Sequence, residues 1–414
     1  MRNNGFIKVK AGALQFVVFV GLVIAVLLAS FVTLTYTHKL FKNKAKITVE
    51  NVKSVDFNLY AFLYNSNSNN GLNTERIVEA DIQSTYWGAY EKVQLISSNK
   101  KNRFSKIALV GGIKENRPAL YLKENNQPLI VVGNTVIRGD GFLPKQGVKA
   151  GNIAGNSYYG DRLVYGKIVN SNEQLPHPPV LSKLNDQLRQ LEENTELAPF
   201  SLQREIQSNS FLNTTKHLYS NDIIDLTNSS LIGNIIVQSE KAIIVDPSSS
   251  LKDIILIAPK IEIRDGVIST FQAIATYSIT VGKNCHLKYP SALILKPEES
   301  KGNDFESKQL YVGENSTLKG LVLYLNNTEQ KNFKPQIFFE KGSRMYGEVF
   351  CEANLELKGA VYGSVYTSGF ISSEFGSIYL NHLFNAEISA TALHNNYVGL
   401  AFENDKKEVV KWLY

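Results

Sequence analysis

Few residues in this chain have the types and spacing that chemistry requires. The six histidines, His38, His177, His217, His286, His382 and His394, form no His-x-x-x-His pair and no His–Cys ligand spacing, so no metal site is expected. Cys285 and Cys351 are the two cysteines, too few for a disulfide framework or a metal cluster. Whether they pair depends on a Cα spacing that the sequence does not show. Work on a polysaccharide needs clustered carboxylates, for proton transfer or Ca²⁺ binding. Asp246, Asp253 and Asp265 come nearest to a stacked acidic file, and turn chemistry accounts for them. No Asp-Asp pair, no Gly-His-Gly and no Gly-x-Ser-x-Gly elbow occurs. Glycines recur at 133, 139, 141, 147, 151, 155, 160 and 166 without a Gly-Lys-Ser/Thr or Gly-x-Gly-x-x-Gly signature. They read as bends of a β structure. No catalytic residue, cofactor or metal is expected, and the chain does not read as an enzyme.

Charge narrows the partners. The chain has 44 basic and 38 acidic residues, a net charge of +6. Seven of the basic residues lie within 1–46, which has no Asp or Glu; removing them leaves 37 basic against 38 acidic. The excess therefore flanks one apolar segment, where lipid headgroups would meet it. No general positive field remains for nucleic acid, which is not expected as a partner.

That apolar segment is the first element. Ala11–Thr37 carries no charge, and Ala13–Leu34 is almost wholly apolar. It is long enough to cross a hydrocarbon core of about 30 Å, and longer than the core of a cleaved signal peptide. The reading is a tail over 1–12 and a transmembrane helix over 13–37 through which the bilayer is a partner. The N-terminus is expected in the cytoplasm and the large domain outside, periplasmic or at the cell surface in a bacterium. Lys10-Ala11-Gly12-Ala13-Leu14-Gln15-Phe16-Val17 resembles the start of type IV prepilins and minor pseudopilins. The resemblance implies processing between Gly12 and Ala13, and a place in a secretion or pilus machine. Val17 stands where that family usually has Glu.

The rest reads as mostly β. Phe57, Leu59, Ala61 and Leu63 alternate as a half-buried strand would, opening a Gly-containing β-rich module over 47–175. Trp87 within it reads as a core or interface aromatic. Pro176-His177-Pro178-Pro179 opens a linker with an exposed His177. Leu181, Leu184, Leu188 and Leu191 then give one short amphipathic helix within 176–200, packed across the β structure.

Four heptapeptides follow a single pattern: Val245–Leu251, Val281–Leu287, Val312–Leu318 and Phe339–Met345, starting 36, 31 and 27 residues apart. Each places aliphatic residues on either side of a corner able to take left-handed backbone. Stacked coils would bury one continuous aliphatic column. The fold expected over 201–387 is a right-handed parallel β-helix, a solenoid, with 388–414 as a C-terminal cap. Ser249, Cys285, Ser316 and Ser343 share the small corner position. Leu355, Leu357, Val361 and Val365 keep the inward parity, and Glu356, Lys358, Tyr362, Ser364 and Tyr366 the solvent parity. The stretch GSRMYGEVFCEANLELKGAVYGSVYTSGF, within Lys341–Leu380, resembles the bactofilin class of polymer-forming β-helices, which implies protein partners or self-association. The expected function is a single-pass, membrane-anchored scaffold for assembly or adhesion. The alternatives are a pilin-like subunit and a β-helix that binds or cleaves cell-wall or surface polysaccharide.

Overall fold

A computed structural model of the chain describes residues 11–65, 81–99, 102–184, 186, 198–199, 206–297, 308–326, 333–403 and 405–413. The chain separates into two compact units, one holding 1–59, 74–81 and 96–105, the other 60–73, 82–95 and 106–414.

In the first unit the dominant element is helix α1, whose full extent is Ala11–Asn65, 55 residues. At 1.5 Å per residue it is about 80 Å long. It is long and apolar enough to cross a membrane. Its side chains from Leu14 to Leu34 are exposed. The strand expected over Phe57–Leu63 is therefore part of a helix. From Leu22 to Asn65 there is no Gly or Pro, so nothing breaks the hydrogen-bond ladder. The buried positions Asn51, Val55, Leu59 and Leu63 fall four apart, a helical stripe that a short alternation imitates. Within this unit Asn51 Nδ2 donates to the Asn102 carbonyl at 3.1 Å, and Ser97 Oγ lies 3.4 Å from Asn51 Oδ1.

The second unit is a closed parallel sheet whose chain returns to the same three ladders again and again. One ladder runs through Gln207–Asn209, Ser230–Gly233 and the beginnings of Ser250–Ile263, Ile268–Val281 and His286–Leu295. A second joins Lys216–Ser220 to Ile235–Ser239 and continues through 255–257, 272–275, 292–295, 321–324 and 348–351. A third carries Ala242–Val245, 260–263, 278–281, Gln309–Val312 and Ile337–Phe339. Inward side chains such as Val237, Leu256, Ala273, Leu293, Val322, Val349 and Val365 form one aliphatic core.

Rung order departs from sequence order. After 365–367 the second ladder is continued by Leu120–Leu122, Gly141–Leu143 and Ile168–Asn170. The first ladder runs from 360–361 to Glu387–Ser389 and on to Val136–Arg138. His382–Phe384 pairs with Leu129–Val132, and that strand with Val148–Ala150. Residues 120–170 thus extend the stack beyond its C-terminal rungs and do not form a β module of their own. A hairpin, Ile371↔Leu380 to Glu374↔Ser377, projects just before this junction.

Two further expectations are corrected. Lys406–Leu413 does not cap the last rung; it pairs antiparallel with 107–113, in a sheet ordered Asp81–Trp87, Tyr90–Asn99, Asn102–Ile113, Lys406–Leu413. The outward face of the second ladder is not solvent-exposed either. Ile255, Ile274, Ile294 and Leu323 cluster with Trp87, Tyr90, Ile107, Leu109 and Leu413. Ser364 and Tyr366 are accordingly buried, and so is Glu356 of the third ladder. A strand covered on both faces cannot show a polar parity. Of the amphipathic helix, Val180 and Leu184 are buried in the same outward cluster, while Leu188 and Leu191 lie outside the described residues.

Candidate functional site: a cleft beside a buried ionic cluster

The second ladder sets one outward file of side chains at matched register: Ile257, Ile274, Ile294, Leu323, then Phe350, Tyr366, Tyr121 and Phe142. The file changes from aliphatic to aromatic at Phe350. Tyr121 stacks on Phe142 with centroids 5.3 Å apart and lies 6.2 Å from Tyr366. Beside this aromatic end lie two connecting segments. Residues 114–118 lead from the antiparallel sheet into the rung Leu120–Leu122, and residues 397–403 with Asp405 precede Lys406–Leu413. Gly112 and Gly399 exchange backbone hydrogen bonds of 2.9 and 2.8 Å and hold the two segments together.

These segments supply charges to an otherwise apolar place. Glu348 is 1% exposed. Its Oε1 lies 2.9 Å from Lys114 Nζ and 3.6 Å from Arg117 Nε, and its Oε2 accepts the Leu400 amide at 2.6 Å. Asp405 stands 3.7 Å from the same ammonium. Lys114 Nζ also lies 4.2 Å from the Phe402 ring centroid and 5.2 Å from that of Tyr366, while Arg117 lies over Tyr397 at 5.0 Å. Burial opposes the Lys114 charge, but Glu348, Tyr366 and Asp405 more than offset it, so its pKa ends above the ordinary lysine value. Burial raises the Tyr366 hydroxyl and the Asp405 carboxyl. Charges so far from water persist only as a matched set.

Next to this cluster is a cleft of about 450 Å³, with Tyr121, Phe142, Tyr366 and Phe402 among its walls and Lys114, Asp405 and Asn116 as polar members. Glu115 and Lys406, also in its lining, pair at 2.5 Å. Tyr121 and Pro176 also line a second cavity with His177, and His177 lines a third with Lys123, Glu352 and Ser368. Burial pushes the Glu352 carboxyl up to about 7, against the smaller opposing effects of the Asn326 backbone and Lys123.

The residues singled out in sequence fall elsewhere. Ser249, Cys285, Ser316 and Ser343 sit at corners leading from the third ladder to the first, all buried. Ser249 and Ser343 donate to the carbonyls of Asp246 and Glu340, each at 2.6 Å. Ser316 Oγ accepts the Cys285 amide at 2.9 Å and donates to the Gly282 carbonyl at 2.7 Å. Asn284, Asn315 and Gly342, one residue earlier in three of these corners, have φ of 55°, 58° and 77°, the left-handed backbone that Asn and Gly tolerate. Cys285 and Cys351 are both free thiols. Burial raises Cys285 and pushes Cys351 up to about 12, so neither is a thiolate near neutral pH.

The three aspartates do not form a file. Asp246 accepts from Ser248 and Arg264, which hold it at about 2. Asp253 pairs with Lys411 at 2.6 Å, and Asp265 accepts the Lys283 amide at 2.7 Å. Trp87 is a core aromatic, edge-on to Phe211 at 5.2 Å. Gly12 and Ala13 are exposed near the start of α1. His177 is exposed, as a linker residue would be, but it borders two cavities. Among the described residues no group of three His, Cys, Asp or Glu side chains is placed to hold a metal ion. Lys114, Arg117 and Glu348 carry no local signature, because Lys114 and Glu348 are 234 residues apart. Tyr121, Phe142, Phe350 and Tyr366 are scattered through the sequence, and only the rung order makes them a file. No family model, no curated protein and no solved structure matches this chain.

Proposed function

We propose that the chain is a single-pass, membrane-anchored structural protein that carries a right-handed parallel β-helix for assembly or adhesion. The observation that carries this reading is α1, whose apolar first half is wholly exposed. Leaving such a surface in water is unfavourable by about 25 cal/mol per Å², so a lipid environment accounts for it. The recurrent parallel ladders support a solenoid, an architecture that offers extended surfaces for partners. The N-terminus stays in the cytoplasm and the solenoid lies outside. Carbonate extraction of membranes and protease digestion of intact cells test this. The full chain should resist extraction, and residues 106–414 should be cleaved only from outside. Release by carbonate, or protection of the solenoid in intact cells, would overturn it.

A pilin-like role is favoured by one further observation. The helix continues unbroken past the apolar stretch to Asn65, with a buried stripe in its second half. In this reading Gly12 and Ala13 flank a processing site, and the mature N-terminus enters a pilus or secretion machine. Mass spectrometry of the purified protein should then find Ala13 as the first residue. An intact N-terminus would leave the permanently anchored scaffold as the reading.

A further inference from the structure

We propose that the cleft at the aromatic end of the second ladder binds a neutral oligosaccharide. The argument goes by elimination from the groups that line it. The apolar lining includes Tyr121, Phe142, Tyr366 and Phe402, the first three stacked on successive rungs, together with Ile113, Pro118 and Pro176. Such rings would suit an organic cation, but Lys114 Nζ already occupies that position, 4.2 Å from Phe402 and 5.2 Å from Tyr366. An anion meets Asp405 and Glu115, while both lysines of the lining are already matched, Lys114 to Glu348 and Lys406 to Glu115.

A proline-rich peptide needs hydrogen-bond donors for its carbonyls. The tyrosine hydroxyls offer little: Tyr121 Oη donates to the Gln174 carbonyl at 3.3 Å and accepts the Asn172 amide at 3.1 Å, while Tyr366 Oη accepts from Lys114 at 3.2 Å and keeps one O–H on a ring only 3% exposed. What the cleft has to spare is mostly acceptors, with the Asn116 amide able to donate as well. Among the described residues Asp405 uses Oδ2 for the Phe402 amide at 3.0 Å and for Lys114, which leaves Oδ1, and Asn116 adds an amide at the same cleft. A ligand that is uncharged, rich in hydroxyl donors and apolar on its C–H faces satisfies all of these conditions. One neighbouring cavity shares Tyr121 and Pro176 with it and another shares Pro176, and His177 lines both neighbours, which gives room for more than one sugar unit.

The test uses the full chain in lipid nanodiscs, because sugar-headed detergents would compete. Cellohexaose and chitohexaose are titrated by calorimetry and by saturation-transfer NMR, with hexagalacturonate and decaproline as comparison ligands. At least one neutral hexasaccharide should bind at millimolar concentration or below. Phe402→Ala and Phe142→Ala, both at half-buried rings, should each weaken binding about tenfold in a chain that still shows a cooperative melting transition. Asp405→Asn should weaken it too. The proposal is overturned if neither neutral sugar binds, if binding survives both phenylalanine variants, or if hexagalacturonate or decaproline binds in their place.

Discussion

Glu348 is the most deeply buried member of the ionic cluster. It faces two cations and a backbone amide while 1% exposed. Glu348→Gln keeps the size of the side chain and removes its charge, leaving Lys114 and Arg117 buried with Asp405 as the remaining near carboxylate. Breaking one partner of a buried set costs about 3–5 kcal/mol, and urea denaturation should show a loss of that size. Glu352 predicts the opposite sign. It keeps its proton in the folded state up to about 7, against an ordinary value of 4.5. The folded state therefore holds a proton that the unfolded chain has released. Stability from this group is full below about pH 4.5 and is lost as pH rises towards 7. Glu352→Gln imitates the protonated form. It should match the wild type at pH 4 and be more stable at pH 8 by up to about 3 kcal/mol. An equal gain at both pH values in thermal melts would show that ionisation is not the cause.

At the scale of elements, the corners matter more than the strands. Gly320, Gly347 and Gly363 are in register where the first ladder bends into the second, with φ of 135°, 144° and 148°. A Cβ at Gly347 would collide with the Gly320 carbonyl, and one at Gly363 with the Gly347 carbonyl. Gly347→Ala meets both an unfavourable φ and backbone that cannot move without shifting the next rung. It should cost more than about 3 kcal/mol, measured by chemical denaturation, whereas Gly376→Ala at the tip of the projecting hairpin has open space and should cost only about 1 kcal/mol for its φ of 77°. How much of this was legible depends on locality. The four heptapeptides revealed corners because a corner is complete within seven residues. Inward parity was legible at Leu355, Leu357, Val361 and Val365 because every rung buries that face. The outward face was not, since what covers Tyr366 comes from residues far away in sequence. The strand expected over Phe57–Leu63 was misread because that stretch fits both periods over so few residues, and the absence of any breaker was the better guide. The cleft was illegible for a related reason: its members come from segments that only the rung order joins.

At the scale of the molecule, that rung order makes the ladders of the closed parallel sheet depend on segments far apart in the chain. Residues 120–170 are made first, yet their rungs pair with 365–367, 387–389 and 382–384. Ser364, which donates to the Pro118 carbonyl at 2.6 Å, is 246 residues away from it. Closing so long a loop costs only a few kcal/mol, since the cost grows with the logarithm of length, but it delays pairing until the distant partner has formed. Rungs within 230–357 pair with near neighbours in sequence and carry no such delay. During refolding, amides of 255–257 and 272–275 should gain protection from hydrogen exchange first, and those of 120–122 and 141–143 last. In a chain ending at residue 357, the early set should still become protected while 120–122 stays open, because its partner at 365–367 is missing. Pulse-labelling with mass spectrometry resolves both sets. Early protection of 120–122, or its protection in the shortened chain, would mean that the N-terminal rungs form a stack of their own and that joining them to the C-terminal rungs is a docking step between finished parts.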